Sequence, residues 1–74
     1  MKLTHKQLVA KLTEDPRIER TDQGDTIIFS ALIRRRRQRL IVWPDGSMMD
    51  ADVDLAIAKC LTIAQVVKQF DLSA

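Results

Sequence analysis

Seventy-four residues with 46% hydrophobic side chains and a formal charge of +2 suffice for one domain, 1–74, and are too apolar for a disordered tail. A single cysteine, Cys60, excludes an internal disulfide and a multi-cysteine zinc site and points to a reducing compartment, so a cytoplasmic location is expected. No stretch approaches the roughly 20 apolar residues that span a bilayer, and the first residues lack signal-peptide character, so a soluble, unprocessed protein with no membrane partner is expected.

Thr4 followed by Gln7 has the form of a capping box, in which the hydroxyl accepts from an orphan amide of the first turn and the Gln side chain reaches back. This predicts a helix over about 4–14. Leu8, Val9 and Leu12 give its apolar stripe and Lys6 and Lys11 its wet face. Asp15-Pro16 stops it, because the residue before a proline is pushed out of the α region. Residues 17–25 read as a polar connection anchored by Ile18, with Gln23-Gly24-Asp25 as the turn into a strand.

Two apolar runs rich in β-branched residues, 27–33 and 40–43, bracket five arginines within six positions: Arg34, Arg35, Arg36, Arg37 and Arg39. The pattern predicts a β-hairpin over about 25–43 that carries its charge on a braced finger. Ile27, Phe29, Ala31 and Ile33 share one side, assigned to the core. Ile28, Ser30, Leu32 and Arg34 share the other, whose apolar members suggest partial cover by a partner or another element. A tip at Arg36-Arg37 lacks the glycine or asparagine of tight hairpins, so a longer or looser tip is expected. Trp43-Pro44-Asp45-Gly46 closes the returning strand, with proline at the second place of the turn and glycine at its end.

Beyond Ser47, a candidate N-cap, residues 50–70 read as helical, with Asp50, Asp52 and Asp54 complementing the dipole of a first turn. Val53, Ile57, Cys60, Leu61, Ala64 and Val67 recur at helical spacing, which places Cys60 on the apolar stripe as a small core residue. A second capping box, Thr62 with Gln65, together with the β-branched run beyond it, favours a bend or split near residues 60–62 over one long helix. Both capping boxes sit in a shared Leu-Thr-x-x-Gln-apolar-Val pattern that capping and periodicity produce without a common origin. A helix-turn-helix tried over 52–71, with Ala56, Cys60 and Val66 in its small, turn and buried places, would expose Ile63, Ala64 and Val67. Only Lys68 and the Gln side chains would be left to read bases, so sequence-specific major-groove recognition is not expected.

Charge is segregated along the chain. Residues 31–44 hold the five arginines and no acid, while Glu14, Asp15, Glu19, Asp22 and Asp25 precede them and Asp45, Asp50, Asp52 and Asp54 follow. Mutual neutralisation is a weak reason to crowd cations, since exposed ion pairs return only about 0–1 kcal/mol each. Catalytic groups are missing by residue type: His5 is the sole histidine, and Ser30, Ser47 and Ser73 have no base at a recognisable spacing. Gly24 and Gly46 stand 22 residues apart and make no phosphate loop, and the alternating aspartates lack the glycine and glutamate of an EF-hand. No enzyme activity, metal or cofactor is implied.

The remaining function is association. Arginine pairs bidentately with phosphate, and Trp43 would stack on an unpaired base if exposed, or serve as core beside Phe29 and Phe70 if not. In size, charge and lack of catalytic groups the whole chain resembles the small proteins that phages encode to redirect host transcription or disable host defences, a likeness of kind that carries no residue assignments. The expected protein is an α+β domain in the order helix, β-hairpin, helix or helices, acting as a transcription regulator. Its partners would be nucleic acid, through the phosphate backbone, or a nucleic-acid-bound machine such as RNA polymerase, met through the arginine hairpin and Trp43. An inhibitor of a host defence complex and a structural phage assembly part are the alternatives. A two-stranded hairpin is barely stable alone, so the helices must pack on it or a second chain must extend it, which leaves a homodimer open.

Overall fold

The computed structural model describes residues 3–51 and 59–72. Both capping boxes are formed. At the first, the Thr4 hydroxyl accepts from the Gln7 amide at 3.1 Å and Gln7 Oε1 accepts from the Thr4 amide at 2.8 Å, starting helix α1, His5–Glu14. The second repeats the geometry with Thr62 and Gln65 and starts helix α2, Ile63–Gln69. Each box satisfies two backbone donors that a helix start otherwise leaves open.

Between the helices the described residues form four antiparallel strands in the order β1 (Ile18–Gln23), β2 (Thr26–Ile33), β3 (Arg36–Val42) and β4 (Met48–Asp50). The chain is α+β, and the sheet has two strands more than the sequence suggests. β1 replaces the expected polar connection: only Ile18 among its six residues is buried, so it carries no hydrophobic alternation to betray it. Its polar residues suit an edge strand, where charged side chains discourage pairing with another chain. Gly24, at φ +58, takes the first central place of the tight turn into β2, where a left-handed residue is needed.

β4 corrects the reading of Ser47 as an N-cap, because Ser47 belongs to the turn that feeds this strand. Pro44 and Asp45 occupy the centre of that turn, the Gly46 amide donates to the Trp43 carbonyl at 3.0 Å, and the Ser47 amide donates to Asp45 Oδ1 at 2.9 Å. Asp50 ends β4 instead of opening a helix. Residues 59–62 are not helical, so of the two readings of 50–70 the split one holds for what is described; Asp52, Val53, Asp54 and Ile57 lie outside the described residues. The Leu61 amide donates to the Met48 carbonyl at 2.7 Å and so covers part of the β4 edge. Cys60 is exposed, which corrects its assignment to the core.

One face of the sheet carries the core. Phe29, Ala31 and Ile33 of β2 are buried with Leu40 and Val42 of β3, Met48 of β4 and Ile18 of β1, as the alternation in β2 predicts. Leu8 and Leu12 of α1 and Val66 of α2 join the same cluster, with Phe70 just beyond α2. Arg17 then locks the far end of α2 to the start of β1. Its Nη2 donates to Asp15 Oδ2 at 2.7 Å and to the Phe70 carbonyl at 3.1 Å, a carbonyl that the helix end would leave open. On the opposite face Ile28, Ile41 and Met49 are half-buried in adjacent register and Leu32 is 69% exposed.

Candidate polyanion-binding site

Ile33 and Arg36 pair across the ladder, so only Arg34 and Arg35 remain to turn the chain. Their φ values are +52° and +68°, the two left-handed residues of a type I′ turn, whose backbone twist matches that of the flanking strands. The tip is therefore tight and sits two residues earlier than Arg36-Arg37, which lie in β3 instead. The expected loose tip is corrected: strand pairing to the last residue, with Ile33 buried, holds the turn closed despite its poor residue chemistry. Left-handed backbone at a residue with a Cβ costs about 1–2 kcal/mol, so two such arginines in succession are a strain that the sheet must overcome.

Arg34, Arg35, Arg36 and Arg37 are all exposed. Strand alternation puts Arg36 on the core side of β3, beyond the edge of the core, and Arg37 on the open side opposite Leu32. The tip is thus cationic on both faces. Among the described residues Arg35, Arg36 and Arg37 form no ion pair, and Arg34 meets Asp71 at 3.4 Å with both side chains largely in solvent. Arg39, further down β3, is half-buried and already engaged within the molecule.

Two of the acids that precede the cluster are directed to other cations. Asp15 pairs with Arg17 at 2.7 Å, and Asp22 with Arg20 at 2.7 Å. The Arg17 side-chain hydrogen bond, with that of its backbone amide, holds the Asp15 carboxyl below its usual range. Hydrogen bonds from Ser47, its backbone first, do the same for Asp45. Asp22 and Asp25 sit at the end of the β1–β2 hairpin away from the tip, as does the turn holding Asp45.

Trp43 is not brought to the arginines. It follows Val42, which pairs with Ile27, at the end of the β2–β3 hairpin opposite the tip. The indole is half-buried and stands outside the core cluster of Phe29 and Phe70, lining an open cleft of about 310 Å³ with His5, Lys6, Val9 and Pro44. His5 Nε2 is buried without a hydrogen-bond partner among the described residues. No trio of His, Cys, Asp or Glu among the described residues is placed to hold a metal ion.

On its core-facing side the tip adjoins the last turn of α2. Arg34, Arg36 and Gln38 from the hairpin line a cleft of about 340 Å³ with Lys68 and Gln69 from the helix. Sequence reading missed the helix's share in this site, because nothing local in either segment signals a meeting across some thirty residues. Comparison with protein-family models, curated proteins and solved structures gives no match.

Proposed function

We propose that the chain is a small non-enzymatic regulator that acts at a nucleic-acid-bound complex by laying its arginine hairpin against the phosphate backbone, with transcription as the process. The observation that carries the reading is the I′ tip of Arg34 and Arg35 with Arg36 and Arg37 behind it, exposed, with three of the four unpaired among the described residues. A tip paired to its last residue loses little backbone freedom when its arginines meet phosphate, and arginine matches phosphate oxygens two at a time. Base-specific recognition is not part of the proposal. Leu32, 69% exposed beside Arg37 on the sheet face away from the core, favours a protein surface such as RNA polymerase as the second contact.

The test is fluorescence anisotropy with a random-sequence duplex across a salt series. Four phosphate contacts give a slope of log K against log salt of about −3.6, at about 0.9 per phosphate. Replacing Arg34, Arg35, Arg36 and Arg37 by serine is expected to abolish binding while circular dichroism stays unchanged. Tight low-salt binding by the substituted protein refutes the finger as the site. Affinity purification from a bacterial lysate, with and without nuclease, reports the protein contact: a partner that survives nuclease supports docking on the machine itself.

A further inference from the structure

The clefts lined by Trp43, by Pro16 and by Gly46 each have an acid in their walls, whereas the cleft between the tip and α2 has none. Its walls are Ile33, Arg34, Arg36, Gln38, Lys68 and Gln69, three cations and two carboxamides with no acid among them. The cations come from two elements: two from the hairpin and one from the final turn of the helix. Gln69 Nε2 donates to Gln38 Oε1 at 2.8 Å, a part-buried bond that ties the helix to β3. It leaves the Gln38 amide hydrogens as neutral donors between charged walls.

A helix C-terminus ordinarily repels an anion, because its free carbonyls carry partial negative charge. Here that obstacle is reduced. Arg17 Nη2 takes the Phe70 carbonyl at 3.1 Å and lies 3.4 Å from the Asp71 carbonyl, and the Leu72 amide takes the Val67 carbonyl at 2.9 Å. Lys68 has no ion-pair partner among the described residues, and Arg34 has only Asp71, at 3.4 Å and in solvent.

We infer that this cleft seats adjacent phosphodiesters of the bound nucleic acid, one to each cation, met by Arg34 and Arg36 from the hairpin and by Lys68 from α2, so that the helix is part of the binding surface. Asp71 serves as the removable counter-ion of Arg34, displaced when phosphate enters. The inference rests on the proposed function and deepens it. It adds one cation that the arginine cluster does not contain and one acid whose removal helps binding.

The test uses the full chain, the random-sequence duplex and two variants. Lys68→Gln is expected to shrink the salt slope by about 0.9 relative to the parent. Asp71→Asn is expected to tighten binding several-fold, a gain that damage to the fold does not produce, and asparagine tolerates the left-handed φ of +53 at that position. The Gln38 and Gln69 side-chain amide signals are expected to move in nitrogen–proton spectra on adding duplex. Parent binding with an unchanged slope in Lys68→Gln, or no gain in Asp71→Asn, overturns the cleft and leaves the finger standing. No binding by the parent at low salt overturns the finger and the cleft together. Equal movement of the two amides with inorganic phosphate alone overturns the nucleic-acid assignment in favour of a free anion, and stronger binding to polyglutamate overturns it in favour of an acidic protein.

Discussion

Two arginines in left-handed backbone are a costly choice for a two-residue turn. Glycine fills such a place without the clash between Cβ and carbonyl that left-handed backbone imposes, and asparagine offsets the clash by local hydrogen bonding of its short polar side chain. The double substitution Arg34→Asn with Arg35→Gly is therefore expected to raise stability by about 1–2 kcal/mol. In a domain of this size that is an increase in Tm of about 4–8 °C per kcal/mol. The same change removes two cations, so the salt slope on duplex is expected to shrink by about 1.8. Opposite movement of stability and affinity is the signature of strain retained for binding. Thermal melts and anisotropy on one preparation read both, and a lower Tm would refute strain at the tip.

At the scale of elements, the Asp15–Arg17 pair adds a polar clamp to the core packing that holds α2. Arg17 holds the Asp15 carboxylate and the Phe70 carbonyl at once, so protonating Asp15 loosens one end of a two-ended clamp. The Asp15 pKa is lowered in the folded chain, chiefly by the Arg17 side-chain hydrogen bond. Its contribution is thus complete above the ordinary value of 3.8 and is lost as pH falls through the lowered folded value. Melts of the parent are expected to drop below about pH 4, while Asp15→Asn starts lower and falls less steeply, the remainder coming from Asp45. Parallel pH profiles would show that the clamp does not depend on this carboxylate.

The same clamp shows what could be read from sequence. Both helix starts were legible because a capping box is complete within four residues, and the β2 core face because Phe29, Ala31 and Ile33 alternate without exception. β1 was not, since a strand with one buried side chain is specified by its neighbour's ladder and not by its own pattern. The tip was misplaced by two residues because four consecutive arginines give no local preference for the turn; the register of Ile33 against Arg36 decides it. Lys68 and Gln69 join the arginines through tertiary packing alone.

At the scale of the whole molecule, the β2–β3 hairpin and its flanking turns carry opposite charges at their two ends among the described residues. The cationic tip lies at one end of the β2–β3 hairpin, and Asp22, Asp25 and Asp45 lie towards the other. β2 separates Asp25 from the tip by eight residues, about 25 Å at roughly 3.3 Å per residue. That separation exceeds the Debye length of about 8 Å at physiological ionic strength and falls within the length of about 30 Å at 0.01 M. Asp25 should therefore oppose polyanion binding only when salt is low, whereas Asp71, at 3.4 Å from Arg34, should oppose it at every salt. Asp25→Asn is expected to tighten duplex binding at about 0.01 M salt and to leave it unchanged at about 0.15 M, with Asp71→Asn tighter at both. Anisotropy at the two ionic strengths separates these cases. A benefit of Asp25→Asn that persists at physiological salt would mean that the nucleic acid runs along the whole length of the hairpin and does not meet the tip alone.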